Sequence, residues 1–244
     1  MRGEDVNQFK LSKRLEKVAQ YVRKGDRLLD IGSDHAYLPC ELIENEVISY
    51  AIAGEVVKGP FERSKEEVSR RQLEELVDVR LGSGLDVIRQ ADQMTTVSIC
   101  GMGGKLIQQI LEDGQAKGKL EGIELLLLQP NVDEPAVRQW LDENGYRISN
   151  EDIVEENKKL YEVIVAEKAD DKTSTEYSAI DYQFGVHLRV DCPSLYIKKW
   201  TKEVKKRTEI IEKLKASPKN NEAKENELKE EITMIRERLA LCQN

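Results

Sequence analysis

Residues Leu28 to Pro39, LLDIGSDHAYLP, constrain this chain more than any other stretch. Leu28, Leu29 and Ile31 read as a short buried strand, with Asp30 near its C-terminal end. Gly32 then opens a loop with no bulky side chain at the first turn. An open α/β sheet begins a nucleotide-shaped site in this way, because ligands bind in the crevice beyond the carboxyl ends of the strands. The segment departs from the dinucleotide fingerprint G-x-G-x-x-G, since Asp34 and Tyr37 stand where the second and third glycines belong. A pyrophosphate pressed against Asp34 would be repelled, whereas a positively charged ligand would not.

The same device repeats downstream. The spacing predicts a helix from Leu11 ending at Gly25, the strand Leu28–Ile31, and a helix from Pro39 to Val47. A second strand covers Tyr50 to Gly54 and is ended by Glu55. A charged helix runs from Pro60 to Leu76, and a third strand, Val77 to Leu81, leads into Gly82-Ser83-Gly84-Leu85. A fourth strand, Thr96 to Cys100, leads into Gly101-Met102-Gly103-Gly104 and a helix to about Asp113. The fifth, Leu125 to Leu128, leads into Gln129-Pro130-Asn131. A helix from Pro135 to Asn144 is closed by Gly145, and the strands 146–156 and 161–167 form a terminal hairpin. The first five strands are apolar throughout rather than alternating, so both faces are covered. This pattern predicts a doubly wound, mainly parallel α/β sheet with antiparallel pairing near one edge.

The remainder has a different character. Residues 168–178 are polar and read as a linker. From Pro193 onward Ile197, Trp200, Val204, Ile211 and Leu214 recur at near-heptad spacing. The pattern breaks at 217–221 and resumes at Leu228, Ile232, Ile235, Leu239 and Cys242, which predicts an antiparallel coiled-coil hairpin. The expected division is a domain over residues 1–168, then a linker and helical hairpin over 169–244.

Composition narrows the classes. The chain has 244 residues, with no apolar run long enough to span a bilayer and no apolar leader segment. Its four cysteines form no C-x-x-C pair and there are two histidines, which argues against zinc and for a reducing cytoplasm. The net charge is -8, yet basic residues cluster. Lys10, Lys13, Arg14, Lys17, Arg23, Lys24 and Arg27 face only Glu16 and Asp26. Lys198, Lys199, Lys202, Lys205, Lys206 and Arg207 face only Glu203. Two basic stripes suit a phosphate backbone or, equally, two solvated helix faces.

Four loops at the strand ends carry polar or glycine-rich devices: Asp30, Gly32, Asp34 and His35, then Glu55, then Gly82 and Gly84, then Gly101 to Gly104. Glu55 lies 25 positions beyond Asp30, where this architecture holds a ribose with an acid about 20 positions on. Any one of these also suits a turn or a helix start. Found in order, they describe an adenosine cradle with no Walker lysine. S-adenosylmethionine fits best, its sulfonium and amino groups meeting Asp30 and Asp34.

LLDIGSDHAYLP, AGEVVKGPFE, LGSGL, CGMGGKLI and LLLLQPN, in this order, resemble the bacterial tRNA (adenine(22)-N1)-methyltransferase family. The resemblance is close over residues 8–167 and looser in the tail. It implies a Rossmann-like class I methyltransferase with a C-terminal coiled coil, using S-adenosylmethionine and no metal, acting on tRNA, with no obligate protein partner. Asp30, Gly32, Ser33, Asp34 and His35 would line the methionine side of the cofactor, and Glu55 would hold the ribose. Gly82, Ser83, Gly84 and Leu85 would flank adenine, while Cys100, Gly101 and Met102 would close the pocket. The chain departs from common family residues at Ser83, Cys100 and Val186.

The resemblance implies methylation of adenine N1, a lone-pair nucleophile from which no proton must leave. The enzyme then supplies alignment and an acceptor near N6, where positive charge develops. Candidates are Asp34, the Gly101–Gly104 carbonyls including Gly103, Gln129 and Asn131. Asn131 reads alternatively as a helix cap. Tyr37 and Tyr161 are candidates to stack on an extruded base, or else belong to the core. Lys10, Arg14, Arg23, Lys24, Lys198, Lys202 and Lys205 would be the tRNA footing. The alternatives are a class I methyltransferase acting on a small molecule or protein, a nicotinamide dehydrogenase, which Asp34 opposes, and a non-catalytic coiled-coil adaptor.

Overall fold

The computed structural model describes residues 11–169, 177–216 and 221–243. The chain forms two compact units, residues 1–177 and 178–244.

The first unit holds seven strands: β1 (Arg27–Ile31), β2 (Tyr50–Glu55), β3 (Val77–Leu81), β4 (Thr96–Met102), β5 (Leu125–Pro130), β6 (Tyr146–Glu156) and β7 (Lys159–Lys168). Its helices are α1 (Lys13–Ala19), α2 (Tyr37–Glu44), α3 (Lys58–Arg70), α4 (Gly104–Ala116) and α5 (Glu134–Glu143). The strand order is β3-β2-β1-β4-β5-β7-β6. β3, β2, β1, β4 and β5 pair in parallel, whereas β7 runs antiparallel between β5 and β6. Chain order reverses between β1 and β4, so their C-terminal ends frame the switch-point crevice where such sheets bind ligands. The apolar runs explain the layering: Leu28, Leu29, Val97, Ile99 and Leu125 to Leu128 are all buried, with helices on both sheet faces. β6 is left as an edge strand, and charges such as Arg147, Glu155 and Glu156 on it discourage pairing with another chain.

Several boundaries differ from the sequence reading. α1 stops at Ala19 rather than running to Gly25. The next amides bond three residues back, Tyr21 to Val18 O and Val22 to Ala19 O, and tighten the chain into a turn. Gly25, at φ +89°, then gives its N–H to Val47 O and so belongs to that turn. α3 ends at Arg70, because Gln72 is left-handed and the Leu73 amide returns to Val68 O. β4 and β5 each run two residues further than expected, carrying Gly101, Met102, Gln129 and Pro130 on the sheet itself.

The second unit contains α6 (Ala179–Phe184), α7 (Leu188–Asp191), α8 (Ser194–Lys215) and α9 (Glu222–Leu241). α8 and α9 pack through Ile211, Leu228 and Ile232, with Val204 and Leu214 alongside. All but Asn221 of the expected turn at 217–221 and most of the expected linker lie outside the described residues. α6 and α7 have no counterpart in the sequence reading. The missed signal is a capping box, in which the Ser178 hydroxyl and the Asp181 carboxylate each accept the other's backbone N–H. Cys192 and Cys242, which form no C-x-x-C pair in the sequence, are joined by a disulfide within this unit. They are 50 residues apart, and only the return of α9 toward the start of α8 brings their Cα atoms to 5.5 Å.

Candidate active site at the switch point of the sheet

The first loop is strained and firmly held. Gly32 has φ +67°, a conformation that favours glycine, and the terminal methyl of Met102 packs against it, so the β1 and β4 loops meet here. Asp34, His35 and Ala36 follow with φ of 38°, 81° and 54°, three successive left-handed residues that are not glycine. Each such residue costs of order 1–3 kcal/mol and persists only where its surroundings over-determine it. Here they do. Asp30 accepts from the Ser33 hydroxyl at 2.5 Å and from the Ser98 hydroxyl, on its β4 register partner, at 2.6 Å. The Asp34 amide donates to Glu55 Oε1 at 2.5 Å, and the His35 amide to Ser64 Oγ at 3.2 Å.

The carboxylates therefore divide their roles. Asp30 is 3% exposed, and burial raises its pKa despite the two serine hydrogen bonds that lower it. Glu55 ends β2 and is also buried. Burial raises its pKa, the Asp34 amide opposes that, and the nearby Asp30 and Asp34 carboxylates add to it. Asp34 instead turns outward, its side chain 72% exposed and 3.5 Å from Arg63 Nη2 and 3.8 Å from His35 Nε2. Arg63, on α3, is absent from the sequence reading, where nothing distinguishes it from its charged neighbours. His35 stacks on Tyr37 with ring centroids 5.1 Å apart.

The third loop is set by packing. A Cβ on Gly82 would press on Val87 and one on Gly84 on Ile110, while Leu85 is buried and Ser83 exposed. The Gly82 amide ties this loop to β2 through Glu55 O at 2.8 Å.

The fourth and fifth loops meet through side-chain amides. Gln129 is fully buried and completely engaged. Its Oε1 accepts from Gly101 N at 3.1 Å and from Arg14 Nη1 at 2.9 Å. Its Nε2 donates to Pro130 O and Asn131 Oδ1. Asn131 in turn donates from Nδ2 to Gly101 O at 2.6 Å, and its own amide donates to Met102 O at 2.7 Å. The cap of α5 is Asp133, so Asn131 bridges the two loops instead of capping that helix. Cys100 lies beneath them, its thiol held protonated by burial and by Asp30. Gly103 caps α4 by backbone alone. The Arg14 guanidinium lies 5.7 Å from the Tyr161 ring centroid.

The basic stripe on α1 is largely neutralised. The acidic hairpin strands return against it and pair Arg14 with Glu156, Lys17 with Asp152 and Arg23 with Glu167. Lys24 is exposed, with no partner among the described residues. Lys10 lies outside them. In the second unit Lys198 and Lys202 have partners, and Lys205 lies 4.0 Å from Glu209 while its side chain remains 80% exposed.

The crevice suits a cationic adenosine derivative better than a pyrophosphate. Two carboxylates, Asp34 and Glu55, stand on its acidic side, where a phosphate would be repelled. Comparison with known proteins decides the family. A family model described as TrmK, tRNA (adenine(22)-N(1))-methyltransferase, matches residues 28–237. The chain belongs to this family. It is 40% identical over 238 residues to the tRNA (adenine(22)-N(1))-methyltransferase of Bacillus subtilis (strain 168), covering 95% of this chain and 98% of that protein. The structure of Streptococcus pneumoniae Sp1610, a putative tRNA (m1A22) methyltransferase, in complex with S-adenosyl-L-methionine matches with a TM-score of 0.85. The two are 41% identical, over 94% of this chain and all of that one. Mycoplasma capricolum TrmK with S-adenosyl-homocysteine matches at TM-score 0.83 and 26% identity, over 95% and 99%. The fold shared by this family is the Rossmann-like methyltransferase sheet described above.

Proposed function

We propose that this chain is an S-adenosylmethionine-dependent methyltransferase that modifies N1 of the adenine at position 22 of tRNA. The observation that carries the reading is the acidic, strained Asp34–Ala36 loop facing the paired Gly101 and Asn131 loops across the switch point. One side suits a cationic methyl donor and the other offers hydrogen bonds to a base. When bound, S-adenosylmethionine supplies an electrophilic methyl group on a sulfonium. Asp34, with Gly32, Ser33 and His35 around it, would hold the methionine end. Glu55 would take the ribose, and Ser83, Gly84 and Leu85 would lie beside the adenine of the cofactor. Cys100, Gly101 and Met102 would close the pocket.

N1 of adenine attacks through its lone pair, so the chain has no proton to remove and acts by alignment. The product ring is cationic, and an acceptor opposite N6 stabilises the charge as it forms. Asn131 suits that role: the residue is exposed, its Nδ2 is fixed on Gly101 O, and its Oδ1, accepting from Gln129, keeps a second lone pair. Asp34, exposed at the rim of the crevice, would be the second acceptor. Gln129, fully engaged, would act by holding Asn131. Extruding the base costs a few kcal/mol, and Tyr37 or Tyr161 would give it a ring to stack on. Lys24, Arg23, Lys198, Lys202 and Lys205, with Lys10, would contact phosphates, and those contacts weaken steeply with salt.

No helix among the described residues is long and apolar enough to cross a membrane. We place the protein in the cytoplasm with its tRNA substrate. Thiols are kept reduced there, and the Cys192–Cys242 bridge would then stand as two adjacent thiols. The deciding experiment is radiolabelled methyl transfer to unmodified tRNA followed by nucleoside analysis. N1-methyladenosine at position 22 is expected, and its absence would overturn the proposal.

A further inference from the structure

Arg14 stands apart from the other basic residues of the amino-terminal segment. Its helix begins at the end of the hairpin, because Glu156 Oε1 accepts the Lys13 amide at 2.7 Å in the first turn of α1. The second oxygen of the same carboxylate lies 3.3 Å from Arg14 Nε. Glu156 thus seats the helix and aims the arginine. The guanidinium then reaches over the ends of β4 and β5. It donates to Gln129 Oε1, and a Cβ on Gly101, which has φ +77°, would come within 2.8 Å of Nη1. The positive φ favours glycine at this position, and the guanidinium lies against it.

The chemistry of the contact has a direction. A guanidinium donates hydrogen bonds and accepts none, so the oxygen end of Gln129 must face Arg14 and Gly101. Its NH2 end is then turned to Pro130 and Asn131. Asn131, an exposed residue, completes the ring on Gly101 O, and its Oδ1, accepting from Gln129, keeps a second lone pair. The charge balance matters as much. A bare cation beside an adenine that becomes cationic would oppose the reaction, and the Glu156 carboxylate cancels it.

We infer that Arg14 is a positioning residue for methyl transfer, locking Gln129 and hence Asn131 at the acceptor pocket, with Glu156 neutralising its charge where the adeninium forms. This rests on the methyltransferase reading above. It removes Arg14 from the phosphate footing to which its place on a basic helix face would assign it.

The test is single-turnover methylation at saturating tRNA and S-adenosylmethionine, for wild type, Arg14→Gln, Arg14→Lys and Glu156→Gln. Cofactor affinity by calorimetry, tRNA affinity at two salt concentrations, and melting temperature are measured alongside. Loss of a preorganised contact of this kind lowers rate constants by about 10–100-fold, and that loss is expected for Arg14→Gln with tRNA affinity and salt slope nearly unchanged. Arg14→Lys keeps the charge but not the fork, and is expected to stay slow. Glu156→Gln is expected to slow the reaction while retaining tRNA binding. The inference is overturned if Arg14→Gln reaches the wild-type rate at saturating tRNA and loses only affinity and salt slope, as a phosphate contact would. It is equally overturned if Arg14→Lys, folded by its melting temperature, restores the full rate, or if every rate loss follows a parallel loss of melting temperature and cofactor binding. A wild-type protein that forms no N1-methyladenosine rejects the proposed function itself, and is told apart from these results by the wild-type lane alone.

Discussion

Two polar clusters sit in the same sheet and obey different rules. Arg138 on α5 is fully buried between Glu151 on β6 and Glu162 on β7, its Nε 2.6 Å from Glu151, and both carboxylates are equally hidden. The cluster clamps helix to hairpin. Around the switch point, at the C-terminal end of the parallel strands, Asp34 and Asn131 are exposed on loops whose buried partners, Asp30, Glu55 and Gln129, are already bonded within the protein. That end also holds the run of left-handed residues from Gly32 to Ala36, apart from Ser33. A sealed cluster serves the fold. A cluster with a satisfied base and an outward, strained rim is built to meet a ligand.

The contrast is most strongly tested by Arg138→Met. Stranding two buried carboxylates should destabilise the protein by about 3–5 kcal/mol, read as the shift in urea unfolding, with methylation per folded molecule intact. A shift below that range would mean the cluster is not sealed. Asn131→Ala should do the opposite, lowering the single-turnover rate constant by about 100-fold with little change in the unfolding midpoint. Asp34→Asn is a finer probe, since asparagine tolerates the left-handed backbone and removes only charge. S-adenosylmethionine should then bind about tenfold more weakly, or about 1.4 kcal/mol, by calorimetry. Unchanged affinity would take Asp34 out of the cofactor site.

The smallest effect is a pH dependence. Burial raises the Asp30 pKa, so the folded chain holds that proton more tightly than the unfolded one. Its stabilising contribution is complete below the ordinary aspartate value, about 3.9, and is lost as pH rises through the raised folded value. Asp30→Asn lacks that slope, and should gain on wild type as pH rises, by at most about 1.4 kcal/mol per pH unit. Urea unfolding at stepped pH measures it, and a pH-independent difference would contradict the buried role.

Much of the first unit was legible. The runs at 28–31, 50–54 and 77–81 became β1, β2 and β3 nearly as read, because a strand buried on both faces must be apolar at every position. The hairpin was visible too, but its insertion as β5-β7-β6 was not, since alternation within a strand does not name its neighbour. The acidic residues from Glu151 to Glu156 name no partner in the sequence. Folding turns Asp152 and Glu156 against α1, where they pair with Lys17 and Arg14 and consume part of the basic stripe. The reach of Arg14 to Gln129 spans 115 positions, and no local pattern announces it.

The LLDIGSDHAYLP segment and the loops after the next strands determined by themselves the sheet, the crevice and the family likeness, because each depends on residues close in sequence and on a repeated strand–loop–helix rhythm. Tertiary structure alone decided which acids are buried and which face out, that Asn131 bridges loops instead of capping a helix, that Arg14 leaves the basic face for the pocket, and that Cys192 meets Cys242. Those outcomes rest on contacts between distant segments. Their strength comes from burial and geometry that exist only once the sheet has closed.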